Sequence, residues 1–162
     1  MHNKLAITVL GNPNSGKTET WKILFDKDVR TGSHIRRLYL NAEEYLDVFL
    51  VSGSAEERGM NIEDIIGDAD PTIVLCSIQY RSDVLRTLNY FQENGFSLFT
   101  QWINPGYSDQ ALIPDTLGLL SYLLYHDGTV EIRSGKDDAR SRVREIKDFV
   151  YGWAFSRGLI RK

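Results

Sequence analysis

Short apolar segments alternate along this chain with amphipathic ones. Six segments predict β-strands, because most are rich in β-branched or aromatic residues and turn-forming residues separate them; they cover residues 5–10, 35–40, 45–51, 72–78, 96–103 and 129–133. The first of them, LAITVL, is apolar almost throughout. Such a run is typical of a strand buried on both faces of a parallel sheet.

Helical periodicity appears between these segments. Apolar residues recur at spacings of three and four in residues 17–25, 82–94, 115–125 and 136–156, and a short helix is expected at 61–66. Only residues 41–44 separate the second and third strands, so these two strands should form an antiparallel hairpin. Elsewhere strands alternate with helices. This order predicts a three-layer α/β sandwich, with a mostly parallel six-stranded sheet, one antiparallel edge strand and helices on both faces.

Length and composition suit a single domain over residues 1–162, and the net charge of −3 does not indicate nucleic-acid binding. Cys76 is the only cysteine and lies inside an apolar run, so a buried core role is expected. The first apolar run ends at Gly11, too soon for a signal peptide, and no segment approaches the roughly 20 apolar residues that span a bilayer. A cytoplasmic protein without a membrane span is therefore expected.

The most informative segment is the turn between the first strand and the first helix. Residues 11–18 read GNPNSGKT and match the pattern Gly-x-x-x-x-Gly-Lys-Thr in full. Glycines allow backbone N–H groups to point inward at a polyanion, and the start of a helix adds a positive dipole end. The pattern therefore predicts a phosphate-binding loop.

The same pattern predicts the ligand. Lys17 would place its ammonium beside the β- and γ-phosphates of ATP or GTP, and the Thr18 hydroxyl would bind Mg²⁺, which prefers oxygen ligands. The residues expected to contact the nucleotide in or next to this loop are Asn12, Asn14, Ser15, Gly16, Lys17, Thr18 and Glu19.

The sequence GNPNSGKT resembles the first motif of translation-factor-related GTPases, including the G domain of ferrous-iron transporters. The order of elements is also similar to that of a small GTPase domain over nearly the whole chain. The resemblance implies a P-loop NTPase fold, a first switch loop at residues 29–34 and a second at residues 52–59.

Later motifs of that family are degenerate here. If Gly53 is the glycine of the second-switch motif Asp-x-x-Gly, Leu50 stands where the family has its aspartate. Residues 104–107, NPGY, stand where the family has the guanine-reading motif Asn-Lys-x-Asp. Asn104 keeps the first position and is expected to contact the nucleotide. Discrimination between ATP and GTP is expected to be weak.

The segment 52–59 also holds the candidate catalytic residues. Glu56 or Glu57 could orient an attacking water, and Arg58 could neutralise charge on the transferred phosphoryl group, with Lys17 completing the set. A solvated polar loop is the alternative interpretation. In the first switch loop, Thr31 or Ser33 could reach the metal.

Three functions remain open on the sequence alone. The first is a slow Mg²⁺-dependent NTP hydrolase or switch. The second is a small kinase, in which residues 79–83 would meet an acceptor and Arg140 and Arg144 would serve as lid arginines. The third is a non-hydrolysing binding module. The apolar helix at 116–125 could contact a protein partner or form a homodimer interface. Tyr151 and Phe155, which lie outside the apolar stripe of the last helix, could do the same.

Overall fold

A computed structural model describes residues 3–162 as one six-stranded sheet with helices on both faces. The strands are β1 (Lys4–Gly11), β2 (Arg36–Tyr39), β3 (Tyr45–Val51), β4 (Ile73–Gln79), β5 (Phe96–Ile103) and β6 (Thr129–Arg133). The helices are α1 (Lys17–Phe25), α2 (Ala55–Arg58), α3 (Ile62–Ile66), α4 (Val84–Glu93), α5 (Leu119–Tyr125) and α6 (Ala139–Phe155).

The strands lie in the order β2-β3-β4-β1-β5-β6. Every neighbouring pair is parallel except β2 and β3, which form the antiparallel hairpin at one edge. The predicted α/β class, with a mostly parallel sheet and one antiparallel edge strand, is therefore confirmed. Because β4 lies between β3 and β1, Gln79 at the end of β4 is directly opposite Gly11.

Strand β1 is the centre of the core because its side chains alternate between two buried faces. Leu5, Ile7 and Val9 belong to the cluster that also contains residues of α1 and α6. Ala6 and Leu10 belong to the cluster that contains residues of α2, α3, α4 and α5. This double coverage is the physical reason for the unbroken apolar run in the sequence.

The helices begin and end close to the predicted positions, with two differences. The segment 52–59 was expected to be a loop, but Ala55–Arg58 form the single turn α2, in which the N–H of Glu57 donates to the hydroxyl of Ser54. Helix α5 begins at Leu119, later than expected, because the Asp115 carboxylate accepts hydrogen bonds from the N–H groups of Leu119 and Leu120. Cys76 is fully buried, and within residues 3–162 no helix is long and apolar enough to cross a membrane.

Candidate functional site

The segment 11–18, here called the glycine loop, connects β1 to α1 and takes a shape that requires glycine at two positions. Gly16 has a φ of 113°, and a Cβ there would lie 3.1 Å from Nη2 of Arg142. A Cβ on Gly11 would lie 2.3 Å from Oγ of Ser15. The two glycines of the motif thus allow the backbone angle and the close approach that form the loop.

The segment after β5 braces the glycine loop through its backbone. The N–H of Tyr107 donates to the carbonyl of Ser15 at 3.0 Å, and the N–H of Ser108 donates to the carbonyl of Asn14 at 3.2 Å. The Asn12 amide donates to the Asp109 carboxylate at 3.3 Å. The conformation of the loop therefore depends on residues almost a hundred positions away along the chain.

Asn104, the predicted base contact, has a different environment. Its amide donates to the carbonyl of Ile113 and accepts from the N–H of the same residue, both at 2.8 Å, and its side chain is buried. The structure thus gives Asn104 the role of closing the loop 104–113. The sequence analysis expected this side chain to contact a nucleotide, whereas in the structure both of its polar atoms are bonded to Ile113.

A cavity of about 890 Å³ lies against the glycine loop, where β1, β4 and β5 reach their carboxyl ends. This volume falls within the range of about 300–1,000 Å³ typical of small-molecule sites. The structure brings most of the predicted contact residues to its wall, namely Asn14, Ser15, Gly16, Lys17, Thr18 and Glu19. Asn12 is not among the lining residues, and its amide donates to Asp109.

Lys17 is the cation at the centre of this site. Its side chain is largely buried, and Nζ donates to the carbonyls of Gly11 at 3.1 Å and Asn12 at 2.9 Å. The Glu57 carboxylate lies 3.4 Å from the same Nζ. Burial lowers the pKa of Lys17, and the Glu57 charge opposes that shift. The ammonium is thus held at the loop by groups that a more strongly charged anion could displace.

The two neighbouring glutamates of α2 face different surroundings. The Glu56 carboxylate is buried, where it accepts hydrogen bonds from the N–H of Gln79 at 2.8 Å and the hydroxyl of Thr87 at 2.7 Å. Burial raises the pKa of Glu56. Glu57 lines the cavity and Glu56 does not. Of the two glutamates that the sequence analysis left open, the structure therefore leaves Glu57 as the carboxylate that could meet a water in the cavity.

Arg58 and Thr31 lie at a second cavity of about 520 Å³, which shares Thr18 and Ser52 with the first. The Thr31 hydroxyl accepts from the N–H of Ser52 at 2.8 Å and from that of Gly53 at 3.2 Å. The two predicted switch loops are thus joined at this point. The Thr31 oxygen contacts backbone amides, which is not the metal-facing position considered in the sequence analysis.

Arg142 is a site residue that the sequence analysis did not select. It lines the cavity, is only 4% exposed, and donates to the Thr20 hydroxyl at 2.6 Å and the Gly16 carbonyl at 3.2 Å. None of the ion pairs formed within residues 3–162 includes it, and burial lowers its pKa to about 10. The signal was present in the sequence, because Arg142 occupies the buried stripe of α6 with Ile146 and Val150.

Buried polar atoms without partners concentrate at this cavity. Within residues 3–162, four buried side-chain atoms have no hydrogen-bond partner, and three of them belong to cavity-lining residues, namely Ser15 Oγ, Gln79 Oε1 and Arg142 Nε. Unsatisfied buried groups are rare in folded proteins, so three such atoms at one cavity call for a polar partner there, which water, an ion or a ligand can supply.

The residues present fit a magnesium ion that is bound together with a phosphate. Such an ion needs few protein ligands, since phosphate oxygens and waters complete its shell. Thr18 lies between the two cavities, and Glu19 and Glu57 line the larger one. The structure holds no group of three or more histidine, cysteine, aspartate or glutamate side chains that could form a metal centre within residues 3–162. No family model, curated protein or solved structure matches this chain.

Proposed function

We propose that this chain binds a nucleoside triphosphate, ATP or GTP, with Mg²⁺ through the glycine loop and hydrolyses it slowly. The observation that carries the proposal is the position of Lys17. Its ammonium lies in a tight loop at the start of α1, beside a cavity of about 890 Å³. A cation and the positive end of a helix at one place favour a polyanion.

The buried Arg142 adds a second positive charge beside the glycine loop. A guanidinium in a buried position carries a desolvation cost that a nearby anion would offset. Nη2 of Arg142 donates to Gly16, so a phosphate bound in the loop would lie near both cations. When bound, Mg²⁺ would neutralise part of the phosphate charge, and Thr18 would be its protein ligand.

Hydrolysis would begin with attack of a water oxygen on the γ-phosphorus. The bond from this phosphorus to the bridging oxygen would break, leaving a nucleoside diphosphate and inorganic phosphate. Glu57 is the carboxylate that lines the cavity, so it would accept a hydrogen bond from the water and receive its proton. Lys17 would stabilise the negative charge that develops on the transferred group.

We propose a small-GTPase-like switch as the finer interpretation, supported by the element order along the chain and by the Thr31 contacts that join the two predicted switch loops. One observation favours a kinase as the second candidate. Gln79, the last residue of β4, and Arg81, in the turn after it, line the cavity where an acceptor would enter. Arg140, proposed as a lid arginine, pairs instead with Asp138 at 2.6 Å.

Calorimetric titration with ATP, GTP, ADP and GDP, with and without Mg²⁺, tests the binding. We expect Lys17→Ala to weaken triphosphate binding at least about tenfold, because a charge-assisted contact is lost. Lys27→Ala is the matched control, since Lys27 is exposed and lines neither of the two larger cavities. Equal affinities for wild type and Lys17→Ala would count against the proposal.

Phosphate release separates the three functions. Release of inorganic phosphate from bound triphosphate supports hydrolysis, and transfer of the γ-phosphate to an added acceptor supports the kinase. Tight binding with neither product supports a non-hydrolysing module. Absence of triphosphate binding with Mg²⁺ present would refute all three.

A further inference from the structure

Tyr107 is a large aromatic side chain at the wall of the cavity that holds the glycine loop. It follows β5, and its side chain is 70% exposed. Within residues 3–162, no other aromatic ring stacks against it and no group hydrogen-bonds its hydroxyl. An aromatic ring left open beside a polar cavity has an unused apolar face.

The backbone of Tyr107 is fixed to the glycine loop although its ring is open. Its N–H donates to the carbonyl of Ser15 at 3.0 Å, and its carbonyl accepts from Nζ of Lys136 at 3.0 Å. A Cβ on the preceding Gly106 would lie 2.5 Å from Cβ of Ser15, so the two segments are in close contact. The ring is therefore attached at a set place relative to any phosphate held in the loop, which reduces the entropy lost on binding.

The segment between β6 and α6 contributes to the same cavity. Gly135, Asp137 and Asp138 line it, and Ile23 of α1 adds an apolar side chain. A Cβ on Gly135 would lie 2.7 Å from the backbone nitrogen of Tyr107. The cavity thus continues past the glycine loop into a region with apolar and polar walls, as the non-phosphate part of a nucleotide requires.

We propose that Tyr107 is the platform on which the nucleobase stacks when the glycine loop holds the phosphates; this inference rests on the proposed function. Stacking on an aromatic ring tolerates any base, because every base has a π-face. The substrates are therefore nucleoside triphosphates, with little discrimination between adenine and guanine. Purine nucleotides should bind more tightly than pyrimidine nucleotides, because purines have a larger stacking area.

The experiment compares ligands with and without a base. Calorimetry measures Mg-ATP, Mg-GTP, Mg-CTP and Mg-tripolyphosphate binding to the wild type, Tyr107→Ala and Tyr107→Phe. We expect Tyr107→Ala to weaken ATP and GTP binding at least about fivefold, the lower end of stacking effects, and to change tripolyphosphate binding less than about twofold. Tyr107→Phe should keep the wild-type affinities. Tyr125→Ala is the control, since Tyr125 is also exposed but lies on α5, away from the cavity.

Two results would overturn this inference while leaving the proposed function intact. One is unchanged ATP affinity in Tyr107→Ala. The other is an equal loss of ATP and tripolyphosphate binding, which would mean that the substitution distorts the glycine loop. If the wild type binds neither ATP nor tripolyphosphate, the proposed function fails first and the stacking proposal falls with it.

Discussion

Replacement of Glu56 separates a structural carboxylate from a catalytic one. Glu56→Ala removes the acceptor for the N–H of Gln79 and for the hydroxyl of Thr87, both in buried surroundings. Each buried donor left unpaired costs about 1–3 kcal/mol, and removal of the buried charge returns part of this cost. We expect a loss of about 2 kcal/mol in the free energy of unfolding.

Glu56→Gln is the matched variant. Its side-chain oxygen can accept from the Gln79 N–H, and its NH₂ can donate to the Thr87 hydroxyl, which accepts as well as donates. We expect its free energy of unfolding to stay within about 1 kcal/mol of the wild type. Urea denaturation at pH 7 measures the free energy of unfolding of both variants. Because this free energy falls by about 2 kcal/mol per molar urea, the unfolding midpoint of Glu56→Ala should lie about 1 M below that of the wild type.

The pH dependence gives an independent check. Burial raises the pKa of Glu56 in the folded chain above its ordinary value of 4.5. From pH 4.5 up to the folded pKa, the folded chain binds more protons at this group than the unfolded chain. This group's contribution to stability therefore falls as pH rises through that window. Glu56→Gln should lack this fall, so its stability relative to the wild type should increase from pH 4 to pH 7.

Hydrolysis measurements complete the comparison. Glu56→Gln should keep the wild-type rate of phosphate release, whereas Glu57→Gln should lower that rate at least about tenfold without loss of stability. The reasoning is refuted if Glu56→Gln abolishes phosphate release with its stability unchanged. It is also refuted if Glu56→Ala unfolds at the same urea concentration as the wild type.

Two further predictions concern the glycine loop. Gly16→Ala should lower the free energy of unfolding by about 2 kcal/mol, because a Cβ is strained at a φ of 113°. Thermal denaturation measures this change. The control Gly152→Ala, at an open position in the last turn of α6, should raise the free energy of unfolding by up to about 1 kcal/mol. A Gly16→Ala protein as stable as the wild type would contradict the assigned backbone angle. Arg142→Met should weaken Mg-triphosphate binding at least about fivefold, on the order expected for the loss of a cation several ångströms from a polyanion. Calorimetry measures this affinity. An unchanged affinity would mean that the charge of Arg142 does not act on the bound phosphates.

The interactions around the loop explain why sequence reasoning could not choose between Glu56 and Glu57. Glu56 and Glu57 are adjacent and chemically identical, so no pattern distinguishes them. The single helical turn of α2 rotates neighbouring side chains by about 100° and directs one to the core and the other to the cavity. The sequence analysis treated the segment as a loop and could not assign those directions.

By itself, the sequence determined the strands, most of the helices, the parallel sheet with its hairpin, and the motif of residues 11–18. These features depend on local periodicity and on backbone chemistry between near neighbours. The tertiary structure alone decided that β4 lies between β3 and β1, that Arg142 reaches Thr20, and that residues 107–109 brace the glycine loop. Such contacts join residues up to 126 positions apart, and they are selected by the packing of the whole sheet and its helices, which no short segment encodes.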